Sequence, residues 1–134
     1  MNTTYFLNLV SGNVFRTKTT PALPSAYYLG LSRTAPTADG TGVVEPASST
    51  GYARVQLNVL SEPNGGVVTN TASIDFPKST SSWGTITHFV IYDAATGGNL
   101  LMYGQLSEQQ QVGSATIMTI ETNALNLKVA NPSA

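Results

Sequence analysis

His88 and Asp93 are the first residues of this chain whose types could do acid–base chemistry together. They stand in its densest stretch, WGTITHFVIYDAATGGNLLMYG, residues 83–104, with a tryptophan at one end and a Gly-Gly-Asn turn near the other. A general base needs an orienting carboxylate and a reacting group within hydrogen-bond reach. Five residues of extended chain separate two side chains by about 16 Å at ~3.3 Å per residue, so within one strand this pair cannot touch. His88 alternates with Ile86 and Val90, which reads as a hydrogen-bonded core or interface histidine. Serine and threonine are so abundant that a triad could be drawn many ways, and no G-x-S-x-G elbow is present. No catalytic residue is assigned.

Metal chemistry is equally thin. With one histidine and no cysteine, a zinc site is close to excluded. Asp39, Glu45, Asp75 and Asp93 could offer oxygens to calcium, but no EF-hand spacing links them. Asp39-Gly40 and Asp93 read better as turn-formers that bond their own backbone. The glycine pairs lack the Lys-Ser/Thr of a phosphate loop. No metal and no cofactor is expected. Among the aromatics, Tyr52 at a strand start and Trp83 after a polar loop are the two expected to be exposed, where they could stack on a glycan.

The elements that would position these residues are mostly strands. Residues 26–34 are rich in β-formers. Residues 52–60 alternate, with Ala53, Val55, Leu57 and Val59 on one side and Tyr52, Arg54, Gln56 and Asn58 on the other, as a half-exposed antiparallel strand does. Asn64-Gly65 marks a hairpin turn. Residues 85–92 turn apolar on both faces, as a central strand would, and residues 100–106 return from the Asp93–Asn99 turn. SEQQQ, residues 107–111, reads as a polar turn, followed by strands at 112–121 and 123–129. Residues 35–51 form a long Gly/Pro/Ser/Thr loop, of the length that is usually functional. Within it Asp39 and Glu45, with Arg54 nearby, make a candidate contact surface. Arg54 is expected to pin that loop by pairing with one of the two carboxylates, for which a guanidinium is geometrically suited.

The front of the chain is the one helical candidate. Phe6, Val10 and Val14 recur at i, i+4, i+8, Thr3 or Thr4 could cap the start, and Gly12-Asn13 would end or kink it. This row is the expected docking element. The reading is therefore all-β: an antiparallel β-sandwich or jelly-roll-like domain with a short N-terminal helix. It comprises a helix and Pro21/Pro24 linker over residues 1–24, one domain over 25–130, and a frayed tail at 131–134.

At 134 residues one domain is the ordinary expectation for a norm of roughly 100–200 residues each. Charged residues make up only 10% and net charge is −1, against about 25% charged in average domains. Such a surface suits neither nucleic acid nor an anionic membrane. It is usual for β proteins of virions or for subunits covered by neighbours. No signal-peptide pattern opens the chain and no apolar run approaches the ~18 residues of a membrane span.

Several of these motifs, in this order, resemble a family of short proteins encoded among bacteriophage and prophage tail genes and described as tail fibre or tail structural proteins. Its pattern runs from an aromatic strand ending in L-x-T-x-A-P, through an acidic-Gly loop, to E-x-x-x-x-x-G-Y-A-R. Then come F-P, W-G-x-x-x-x-x-x-I-x-D-A and G-G-x-L-L-x-Y-G. Here these are residues 28–36, 39–42, Glu45 with 51–54, Phe76-Pro77, Trp83-Gly84 with Asp93-Ala94, and 97–104. Ser32 departs from a commoner threonine, and ASSTG replaces a glycine-rich run.

The resemblance implies a non-enzymatic virion structural protein, made in the bacterial host cytoplasm without a signal peptide. It would be a tail fibre or baseplate-type subunit that assembles with itself, most simply as a trimer, and touches other tail or baseplate proteins or the host surface. A carbohydrate-binding receptor-recognition module and a capsid decoration or collar protein are the alternatives. No catalytic residue is transferred with it.

Overall fold

The computed structural model describes residues 1–17 and 22–129. The Pro21 part of the expected linker and the expected frayed tail at 131–134 lie outside them.

Among the described residues the chain is all-β apart from one front helix and a single 3-10 turn at Ser48–Thr50. Helix α1 (Thr4–Phe15) starts where Thr3 accepts the Phe6 N–H on its hydroxyl at 3.2 Å, an N-cap in extended conformation. It does not stop at Gly12-Asn13. Asn13 Nδ2 donates back to the Leu9 carbonyl at 2.8 Å, and the Arg16 N–H closes the last turn on Gly12 O. Helical bonding thus runs through the glycine.

Among the described residues eight strands follow: β1 (Tyr28–Ser32), β2 (Val55–Gln56), β3 (Val67–Thr69), β4 (Ile74–Asp75), β5 (Gly84–Tyr92), β6 (Leu100–Val112), β7 (Thr119–Ile120) and β8 (Asn126–Lys128). Four of them make the main antiparallel sheet in the order β2-β1-β5-β6, while β3 pairs with β8 and β4 with β7 as two small ribbons. β5 is central, as its two apolar faces predict; Val90 and Ile91 are both buried. Cross-strand partners share a face, so the register places Leu29, Leu31, Phe89, Ile91 and Met102 together. Leu57 and Leu127 join the same core cluster.

Three strand expectations change. Of residues 52–60 only Val55–Gln56 enters a ladder, and the alternation inverts at its start: Tyr52 is buried and Ala53 exposed. The Tyr52 hydroxyl has polar partners inside, so the ring can turn inward at no polar cost. SEQQQ is not a turn but part of the thirteen-residue β6. The polarity is accommodated by a bulge, since the β5 partners step from Gln105 to Gln110 while only Thr87 lies opposite. Of the expected strand 112–121 only Val112, as the end of β6, and Thr119–Ile120 are strand.

Buried polar groups tie the layers. The Asn70 amide donates to the Ala72 and Glu121 carbonyls at 2.9 and 2.8 Å and accepts the Leu125 N–H at 3.0 Å, joining the ribbons side to side. Thr3 and Asn2 dock the chain start on β6 and β8, through Thr3 Oγ1 to Leu100 O and Asn2 Nδ2 to Lys128 O, each 2.7 Å.

Candidate functional site

Arg54 is the hub of the most organised polar cluster. Its Nη2 and Nε donate to the two carboxylate oxygens of Glu45 at 2.7 and 3.0 Å. Nη1 donates to the carbonyls of Ala94 and Gly97, both at 2.8 Å, and the guanidinium lies 3.6 Å over the Tyr92 ring. Four of its N–H bonds are thereby used. The side chain, only 7% exposed, joins the long loop to the β5–β6 turn. Burial works against the Arg54 charge, and the Glu45 hydrogen bonds and charge outweigh it, so the pKa rises above the usual arginine value.

Tyr52 completes the cluster. Its hydroxyl donates to Glu45 Oε2 and accepts the Leu31 N–H at 2.9 Å. Burial first, then the Glu45 contact, push its pKa up. Room for the hydroxyl comes from Gly30, where an added Cβ would stand 2.7 Å from it and 3.0 Å from Val90 Cγ2.

Tyr52 and Trp83, expected as exposed stacking platforms, are core residues at 8% and 2% exposure. Their rings meet edge to face at 5.4 Å, and Tyr52 also stacks on Phe76 at 6.5 Å. The Trp83 indole N–H donates to Thr50 O at 2.9 Å. Each polar tip has an internal partner, which removes the reason for either ring to face water.

The loop is pinned at several points. Arg33 N–H donates to Val44 O, Thr37 N–H to Thr41 O, and the Thr4 N–H of α1 to Ala38 O, each at 2.9 Å. Asp39 sits exposed at the tip and accepts from the hydroxyls of Thr37 and Thr41 and from the Thr41 N–H. Those bonds hold its pKa below the usual carboxylate value. The three residues of the expected contact surface are thus divided: Glu45 and Arg54 face each other inside, and Asp39 stands apart. Asp93 is a turn-former, accepting the Asn99 N–H at 2.7 Å and its amide at 3.1 Å.

His88 bonds the Thr87 hydroxyl through Nδ1 at 2.8 Å, and burial lowers its pKa. Among the described residues no group of three or more His, Cys, Asp or Glu side chains could hold a metal.

The docking row is a further correction. Phe6 is buried with Leu9 against the domain's own core, Val10 is half-buried, and Val14 is 59% exposed. At 3.6 residues per turn an i, i+4, i+8 row drifts by about 80°, so one stripe starts inside and ends in water. The outward apolar end is Val14 with Phe15, the latter 82% exposed. Phe15 lies off the i, i+4 row, and its neighbour Val14 is the only sequence signal that pointed there.

Among the described residues no helix is long and apolar enough to cross a membrane. No curated protein matches the chain. Residues 2–128 match the model described as Podophage GP4 fiber I protein gp80, and the chain belongs to that family of phage fibre proteins.

Proposed function

We propose that this chain is a non-enzymatic structural subunit of a phage tail fibre or baseplate, associating with copies of itself and with neighbouring tail proteins. The observation that carries the reading is the apolar end of α1. Val14 and Phe15 are large, adjacent and exposed on a helix whose other side is fastened to the core through Phe6 and Leu9. Exposed apolar side chains on a rigid mount suit a subunit contact. The pinned loop, with Asp39 at its tip, is the second contact surface, toward another tail protein or the host.

Light scattering after size exclusion tests this. The wild type is expected to run as a discrete oligomer, a trimer if fibre-like, and Val14→Asp/Phe15→Asp as a folded monomer. A double variant with unchanged mass and unchanged incorporation into particles removes the helix end from assembly.

A further inference from the structure

A cavity of about 270 Å³ opens between the main sheet and the β3–β8 ribbon. Its floor is buried and apolar, made by Leu57, Ile91 and Met102. Val68 and Leu127, cross-strand partners in the ribbon, form one wall. Pro63, Lys128 and Val129, all exposed, stand at the rim. An apolar cavity of about 150 Å³ is enough to take a benzene ring. Clefts that hold whole small molecules run to ~300–1,000 Å³. This one has the size for a single large side chain.

The chain offers its own cavity no such side chain. Residues 18–21 and 130–134 contain no Phe, Tyr, Trp, Leu, Ile, Val or Met. Phe15, the most exposed of the large apolar residues described, stands 82% in water at the end of α1 and does not line the cavity. Charges flank both features. Arg16 follows Phe15, and Glu62 precedes Pro63 at the rim. Both are exposed, and among the described residues the one ion pair is Arg54–Glu45. Lys128, across the rim, is a cation of the kind that suits the carbonyl end of a helix.

We propose that this cavity is the socket for Phe15 of a second copy of the chain, with Arg16 of that copy set against Glu62. The proposal rests on the reading of the helix end as a self-contact, and it supplies the surface that receives it. One aromatic ring buried in a preformed apolar hole is the kind of anchor that dominates an interface. The charge pair at the rim adds little affinity and fixes orientation. Each copy gives one plug and takes one, so copies join without a third protein.

Light scattering on the purified full chain at several concentrations, with thermal melts beside it, tests the pairing. Phe15→Asp removes the plug and should weaken self-association about a hundredfold. Val68→Trp fills the socket from its wall, and Val129→Trp covers it from the exposed rim. Each should weaken association as far, at the wild-type melting temperature. If Val68→Trp lowers the melt, Val129→Trp carries the socket arm alone. Mixing Phe15→Asp with Val129→Trp leaves one intact plug and one intact socket, so the two dissociated variants should join as a 1:1 dimer. Glu62→Arg should weaken association about threefold at low salt, and Arg16→Glu in the same chain should restore it. A wild type that stays monomeric, or Phe15→Asp with unchanged mass, overturns the self-contact reading and this pairing together. If Phe15→Asp dissociates while folded socket variants keep their mass, the helix end stays in assembly and the socket is overturned. A mixture that remains monomeric overturns the socket in the same way, and a charge swap that restores nothing removes Arg16–Glu62 from it.

Discussion

At the scale of single residues, Arg54 carries more connections than any other side chain described above. Arg54→Ala would strip Glu45 of its countercharge, leaving it the Tyr52 hydroxyl alone, and two turn carbonyls of their donor, at a cost of about 2–4 kcal/mol. Lysine restores the charge but not the paired geometry, so Arg54→Lys should recover less than half of the loss. Urea melts read both, and hydrogen exchange should rise in residues 93–99 and in the loop around Glu45; protection unchanged there would count against a clasp. Tyr52→Phe strips the Leu31 N–H and Glu45 of a partner and should cost about 1–3 kcal/mol in the same melts. His88 gives a pH signature. Burial holds its folded pKa below the unfolded value of about 6.5, so the unfolded chain binds more protons as pH falls. Its stabilising contribution is therefore complete above that value and lost as pH drops through the folded pKa. His88→Gln should flatten this part of the urea-midpoint profile; an unaltered slope would mean His88 is not its source. The Arg54–carboxylate pair was legible in the sequence because few other charges were available to compete. The burial of Tyr52 and Trp83 was not, because it depends on Glu45, Leu31 and Thr50, partners brought in by the fold.

The elements divide by what sets them. The β5–β6 hairpin was readable because Asp93, Gly97, Gly98 and Asn99 specify a turn between two apolar runs, with positive φ at both glycines. Helix α1 was readable in kind and at its cap, but not in length or facing. Its length depends on an Asn13 side-chain bond, and its facing on the drift of the apolar row. Phe6→Ala should therefore destabilise the domain by about 3 kcal/mol, as a core truncation does. Val14→Asp, at the other end of the same row, should leave the melting temperature within about 2 °C. Thermal melts of the two variants distinguish a core-facing start and a solvent-facing end from the reverse. The extent of β6 was hidden because a polar run inside a strand needs a bulge. Nothing local distinguishes that from a turn.

For the whole molecule, periodicity pointed to an all-β chain, which the sheets bear out, and the family match over residues 2–128 spans the stretch between residues 28 and 104 that carried the resemblance. The arrangement of one four-stranded sheet and two ribbons was not legible. The ladders β3–β8 and β4–β7 join residues far apart in sequence through two or three pairs each, too short to leave a periodic trace. The central claim is that the chain is a structural part of the particle. The most direct measurement is its copy number in gradient-purified particles of the encoding phage, by quantitative peptide mass spectrometry against the other tail proteins. A fixed copy number, constant across preparations and in simple ratio to the tail proteins, is the predicted result. Recovery only in the soluble lysate, with none in the particle, would contradict it.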